Sequence, residues 1–458
     1  MGASCMETRA DIAVIGGGLS GVTAALRAAA QGRDVVLVRR GYGGTATGSG
    51  AIDVIGASPC ESLGIMTCAH HDPAHALGSL LKRLPSHPYA LVSGDPAGPA
   101  GHWPAFRARF DAASSFVLDH LAKAGLPISG SLDHLTAHAT THGTLRLTNF
   151  SPLSVHRGDV AALRGARLAF VGVEGMGAFE PSFVGRSLRA ILAKDSPGAL
   201  AAMELRTLRI PWARPGGGIH PAEVARDLDD PERREAFAEE MTRAVGGGSF
   251  THAIVAPVLG LERHPETLDL LSRRVGITIS EPLVPAPHAI HGLRMQKALD
   301  RALADSRVRL VSARVTGAEI SGRTLVSLEG QADTGPVKIR AERFVLATGR
   351  FTGGGLTGRG TVRESIIGLP VFHRARPVGE RAVFNLLQPG YFARQPLFDA
   401  GLRAGDDLRP LDADGRRAFE NLFAAGTILG GYDLALDGTG PGVGLLTGFA
   451  AGERAASA

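Results

Sequence analysis

Apolar positions in this chain fall into short buried runs punctuated by glycine, not into long amphipathic stretches. Asp11-Ile12-Ala13-Val14-Ile15 reads as a short strand. The Ala-rich residues 22–30 read as a helix that stops near Gly32, and Val35-Val36-Leu37-Val38 as a second, parallel strand. Between the first strand and the helix lies Gly16-Gly17-Gly18-Leu19-Ser20-Gly21. In a strand–turn–helix setting, glycines at 16, 18 and 21 serve a tight turn, a close backbone approach to phosphate, and close helix–strand packing. The helix N-terminus then faces the phosphate. The pattern predicts a βαβ nucleotide-binding unit over residues 11–38.

The texture then changes twice. Residues 41–58 are small and poor in charge, which predicts a buried loop lying against the ligand. From 76 to about 285 the pattern mixes helices over 103–124, 186–196, 222–245 and 265–274 with isolated strands such as 168–173, broken by Pro- and Gly-rich loops. The βα texture returns near 286: a helix over 293–303, a strand over 308–311, and alternating strands through 321–322 and 337–339. The apolar strand Arg343-Phe344-Val345-Leu346 then ends in Ala347-Thr348-Gly349. A further strand ends at Gly426, and a glycine-rich turn containing Gly442 and Val443 opens a last helix reaching about Arg454. The expected architecture is α/β: a Rossmann-like flavin-binding fold with a parallel sheet and a β-meander. Residues 1–75 and 286–458 form a discontinuous flavin domain, and residues 76–285 an inserted α+β cap.

The end of the second strand complicates the nucleotide. A dinucleotide fingerprint usually places an acidic residue there to hold ribose hydroxyls, but this chain has Arg39 and Arg40. The pair could meet a ligand phosphate, accommodate the 2′-phosphate of NADP, or lie solvated at a strand end. The Ala347-Thr348-Gly349 and C-terminal pieces favour a flavin over NADP. The last helix would point its positive end at the flavin ring.

Charge and cysteine content narrow the class. The net charge is +5, with basic residues dispersed, so no nucleic-acid partner is expected. Three cysteines, Cys5, Cys60 and Cys68, are too few for a disulfide framework or a self-contained four-cysteine cluster. Cys60 and Cys68 lie near His70, His71 and His75, but their spacing matches no zinc pattern, and no metal is expected. No apolar run is long enough to span a membrane, and no signal peptide is evident. A cytoplasmic protein is expected, reaching the inner face of the cell membrane through a partner.

The chain resembles the flavoprotein B subunit family of anaerobic glycerol-3-phosphate dehydrogenase from end to end. The resemblance is carried by Gly48-Ser49-Gly50-Ala51-Ile52-Asp53, His87-Pro88-Tyr89, Gly143-Thr144-Leu145-Arg146, Val171 to Gly175, Gly292-Leu293-Arg294, Arg350 to Leu356, Val362-Arg363-Glu364 and Gly430-Gly431-Tyr432-Asp433. Ser365 and Pro441 depart from the family pattern, and the proline removes one N–H at the last helix start. The resemblance implies FMN, with FAD as the alternative, and an arginine after the second strand is common in this family. It implies oxidation of sn-glycerol 3-phosphate to dihydroxyacetone phosphate. Electrons would pass to quinone through an iron–sulfur membrane-anchor subunit, with a second, catalytic flavoprotein subunit alongside. A histidine, His288, His291 or His373, would take the hydroxyl proton. Arg294, Arg350 and Arg363 would hold the phosphate. Two rival expectations stay open: a non-catalytic electron-relay or assembly subunit, and a flavin oxidoreductase acting on another hydroxy compound.

Overall fold

The computed structural model describes residues 5–56, 72–93, 102–195, 204–212, 219–245, 250–285, 289–358, 360–379, 382–390, 393–434 and 436–458. In chain order the principal elements are β1 (Met6–Ile15), α1 (Leu19–Ala30), β2 (Val35–Arg39), the single turn α2 (Gly44–Thr47) and the long α3 (His102–Lys123). Next come β3 (Arg167–Val173), β4 (Glu204–Ile210), β5 (His252–Val255) and β6 (Thr278–Ser280). They are followed by α4 (Ile290–Ala304), β7 (Arg309–Ser312), β8 (Arg314–Ser321), β9 (Thr324–Ala332), β10 (Gly335–Leu346), β11 (Leu422–Ala424) and α5 (Gly440–Ser457).

The first sheet has the order β7-β2-β1-β10-β9-β8, with β11 also paired to β10. β1, β2, β7, β10 and β11 run parallel, while β8 and β9 form an antiparallel meander feeding into β10. This is the α/β fold with meander expected from the sequence. β1 starts five residues before the predicted Asp11, because Met6 to Ala10 pair with Val337 to Ala341 on the long β10. Glu7, Thr8 and Arg9 at its centre are polar and the whole stretch is at least part-exposed, so its strand character comes from the partner and not from local pattern. Val35 to Val38 are fully buried, which is why they read as an uninterrupted apolar run.

The second sheet has the order β6-β5-β3-β4, with every pair parallel. It has its own core, including Phe170, Val171, Phe237, Met241 and Ile254. The helix predicted over 222–245 is two helices, Pro221–Asp227 and Pro231–Val245, because Pro231 starts the second one and cannot continue the first. α3 lies before this sheet in sequence but packs its Phe106, Phe110, Val117 and Leu121 into the core of the first sheet, with α1 and α5.

Candidate functional site

The glycine turn ends β1 and opens α1. Gly16 has φ +114°, and a Cβ there would sit 2.2 Å from the carbonyl oxygen of Ala347 at the end of β10. A Cβ on Gly21 would sit 1.9 Å from the Gly16 carbonyl oxygen. Only glycine lets the helix start and two strand ends meet this closely. Gly18 is the N-cap of α1 and offers no side-chain cap. Thr45 of α2 instead accepts from the Leu19 N–H at 2.9 Å. Ala347 donates its N–H to the Ile15 carbonyl at 2.9 Å, bringing Thr348 and Gly349 beside the turn.

Arg39 and Arg40 have different fates. Arg39 bends back across the turn, and a Cβ on Gly17 would meet its Cδ at 2.1 Å. Its Nη1 donates to Asp300 of α4 at 2.6 Å, in a mostly buried ion pair. Gln296, one helical turn before Asp300, donates to that same carboxylate and to the Gly17 carbonyl, each at 2.9 Å. Arg40 is exposed and lies 3.6 Å from Asp333. Thr45, Gln296 and Asp300 were not among the expected site residues. Gln296 and Asp300 lie one turn apart on α4, and Thr45 lies in a four-residue turn, so no local pattern marks the three as a group.

Three polar atoms around the turn are buried without a partner among the described residues: Ser20 Oγ, Thr348 Oγ1 and Gln296 Oε1. Buried polar groups are normally satisfied, so this cluster calls for a polar ligand atom. The cradle and the two hydroxyls, which can donate, fit the phosphate end of a nucleotide cofactor, whereas Gln296 Oε1 only accepts. The opposite end is closed. Gly442 donates its N–H to the Asp53 carbonyl at 3.0 Å, and Pro441 has none to give. The Tyr89 hydroxyl, which donates to the Val54 carbonyl at 2.7 Å, sits 2.3 Å from where a Gly442 Cβ would be. The first turn of α5 is therefore covered by the chain's own backbone, and Val443 continues the helix by donating to Thr439 at 2.8 Å. At Gly426 the N–H donates to Thr447 at 2.8 Å, and the glycine packs on Ser20.

The loop after β2 is partly helical. α2 packs under α4, where a Cβ on Gly292 would lie 2.2 Å from the Gly48 carbonyl. Ser49 accepts weakly from Ala51 at 3.4 Å, Gly50 packs on His291, and residues 50–55 are buried.

The expected base and phosphate ligands are not brought together. Arg294 is 1% exposed and makes a two-pronged ion pair with Glu281, at 2.6 and 3.0 Å, besides donating to the Gly260 carbonyl at 2.7 Å. His291 is fully buried beside this pair and donates from Nε2 to the Pro282 carbonyl at 3.0 Å. Burial holds its pKa below the ordinary histidine value, with the Arg294 charge acting the same way. Arg350 is buried and donates to the carbonyls of Phe398, Leu429 and Tyr432. Arg363 is exposed and hydrogen-bonds Thr361 at 3.0 Å. His373 is part-exposed, 4.0 Å from Asp399, whose carboxylate binds Arg394 at 2.7 and 2.9 Å. His288 lies outside the described residues, as do Cys60, Cys68, His70 and His71. No cluster of three metal-ligating side chains exists among the described residues. No described helix is long and apolar enough to cross a membrane.

Comparison with known proteins extends this picture. A family described as FAD binding domain matches residues 11–443. The B subunit of anaerobic glycerol-3-phosphate dehydrogenase from Yersinia pseudotuberculosis is 29% identical over 455 residues, covering 97% of each chain. The probable B subunit of anaerobic glycerol-3-phosphate dehydrogenase from Halobacterium salinarum is 30% identical over 473 residues, covering 99% of each. Among solved structures, the open conformation of a flavocytochrome c3 fumarate reductase aligns at 12% identity and a TM-score of 0.43, over 98% of this chain and 78% of that one.

Proposed function

Because the chain belongs to the FAD-binding domain family and to the B-subunit family of anaerobic glycerol-3-phosphate dehydrogenase, we propose that it is a flavin-dependent subunit that oxidises sn-glycerol 3-phosphate to dihydroxyacetone phosphate. The observation that carries this reading is the near full-length match to B-subunit relatives from two organisms. Bound flavin would supply the acceptor for the hydride leaving the carbinol carbon. The chain would hold its phosphate end with the Gly16–Gly21 turn and the hydroxyls of Ser20 and Thr348, which can donate to it.

The flavin is assigned as FMN, although the matching family is one of FAD binding. Arg39, clamped by Asp300 across Gly17, fills the side of the turn where an adenosine ribose would seek an acidic partner. Of the histidines, His373 combines exposure with a nearby carboxylate, as a proton acceptor needs. Asp399 also adjoins Phe398, whose carbonyl binds Arg350 next to the Ala347–Gly349 strand end. Electrons would leave singly to an iron–sulfur partner and on to quinone, with a second flavoprotein subunit alongside, at the inner face of the membrane.

One observation favours the relay reading. Arg294, Arg350 and His291 are engaged within the protein, so substrate oxidation on a partner subunit would leave them undisturbed. Turnover separates the two. The purified chain with an artificial two-electron acceptor should form dihydroxyacetone phosphate. Product formed only after a partner subunit is added would support the relay.

A further inference from the structure

Between β10 and β11 the chain carries an exposed apolar surface. Phe384 is 72% exposed, Phe398 50% and Leu387 46%. They belong to two single helical turns, Val383–Leu386 with its following Leu387, and Pro396–Asp399. The two turns lie against each other. Gln395 ties the chain between them, accepting the Gln388 N–H at 2.6 Å and donating to the Gly390 carbonyl at 3.0 Å. The second turn also adjoins the hairpin Phe372–His373 with Arg376–Pro377. Arg394 grips Asp399 and Asp437 together, which brings Leu436, 60% exposed, to the same region. Single exposed apolar side chains are ordinary, but a group of them on adjoining elements marks a surface that meets something apolar.

The charges beside this surface select what it meets. Arg374 and Arg376, at the tip of the hairpin, are exposed and make no side-chain hydrogen bond or ion pair among the described residues. Arg363 is exposed and bonds the neutral Thr361 hydroxyl, and a bridge from Thr361 to Ala382 sets that strand beside the first turn. The described carboxylates between residues 360 and 399 are Glu364 and Asp399, each 3% exposed. Both are taken, Glu364 by the N–H groups of Ile366, Ile367 and Gly368, and Asp399 by Arg394. The described surface therefore offers apolar groups and free positive charge with no exposed negative charge. A protein interface pairs charges of both signs. An anionic bilayer asks only for apolar side chains that enter the acyl boundary and cations that meet headgroup phosphates.

We propose that this surface docks directly on an anionic lipid bilayer, with Phe384, Leu387 and Phe398 entering the interface and Arg374 and Arg376 meeting lipid phosphates. No described helix is long and apolar enough to cross a membrane, so the contact is peripheral. The proposal rests on these side chains and not on the activity proposed above.

Flotation of the purified full chain with vesicles of phosphatidylcholine, alone or mixed with phosphatidylglycerol, tests it. Wild type should float with the anionic vesicles, stay unbound with the neutral ones, and be released as salt is raised. Phe384→Ser with Leu387→Ser should weaken binding about tenfold. Arg374→Asn with Arg376→Gln should weaken it about twentyfold, roughly fivefold for each charge near the surface. Asparagine is chosen because Arg374 has φ +56°, which asparagine tolerates. All four side chains are exposed, so neither double variant endangers the fold. Phe183→Ser, at a 49% exposed ring on the helix Pro181–Asp195, should leave binding unchanged. Wild type that stays unbound with both kinds of vesicle would overturn the proposal and leave the surface to a protein partner. Binding that both double variants retain, or that Phe183→Ser loses equally, would also overturn it. Turnover with a soluble acceptor is a separate readout, so failure of the proposed activity and failure of this surface are distinguishable.

Discussion

Replacing Arg294 by methionine should destabilise the protein severely without acting first on ligand affinity. The guanidinium makes two contacts to Glu281, at 2.6 and 3.0 Å, and one to the Gly260 carbonyl at 2.7 Å. Arg294 is 1% and Glu281 2% exposed, so water screens neither. Methionine fills the space but strands the carboxylate, which among the described residues keeps only Ser154 Oγ and the Leu259 N–H as donors. Breaking a buried pair from one side costs about 3–5 kcal/mol. The pH dependence gives a second signature. Burial pushes the Glu281 carboxyl up, but the attraction of Arg294, with His291 and His264, outweighs it and holds it below the ordinary value. Without Arg294 the effect of burial is left largely unopposed, and the folded pKa should rise above the unfolded one. A group raised in this way stabilises at low pH and loses that contribution as pH rises. The deficit of the variant relative to wild type should therefore shrink from pH 8 towards pH 4. Urea denaturation followed by circular dichroism reads both effects, and the double variant Glu281→Gln with Arg294→Met should recover part of the loss. A variant as stable as wild type at every pH, but unable to bind sn-glycerol 3-phosphate, would show that Arg294 is a phosphate ligand and not a strut between α4 and the second sheet.

Other consequences follow from the same contacts. His87, His138 and His264 are each lowered to about 3, chiefly by burial, against an ordinary value of 6.5. The unfolded chain then binds protons below pH 6.5 that the folded chain refuses, so each should cost roughly 2 kcal/mol between pH 6.5 and 5. A melting temperature unchanged over that interval would contradict their burial as neutral rings. Alanine at Gly16 or Gly21 should abolish retained flavin and lower stability by a few kcal/mol, since the added Cβ collides with backbone at both sites. Full flavin content after gel filtration of either variant would refute the cradle. Flavin released by heat should be FMN. Arg39→Ala should weaken its retention by opening Gly17, whereas FAD as the released species would show that Arg39 moves aside for an adenosine.

Much of the first sheet is legible in the sequence because its signals are local. The run Val35 to Val38 is apolar on both faces, and the glycines at 16 and 21 sit where any side chain collides. The second sheet reads from sequence only as isolated strands, because β5 and β6 are four and three residues long and depend on their neighbours for strand character. The site is less legible than the fold. Arg39 finds Asp300 across 261 residues and Asp53 finds Arg146 across 93, pairings that no local pattern announces. Arg294 and Arg350 illustrate the converse: an arginine in a family motif can serve a carboxylate or a set of carbonyls as readily as a substrate.

The most direct test of the proposed function is an anaerobic titration of the purified, flavin-loaded chain with sn-glycerol 3-phosphate, following the visible absorbance of the flavin. Bleaching in proportion to substrate added is expected, with dihydroxyacetone phosphate formed in equal amount. A flavin spectrum that stays oxidised throughout would contradict the proposal, and would place the oxidation on another subunit.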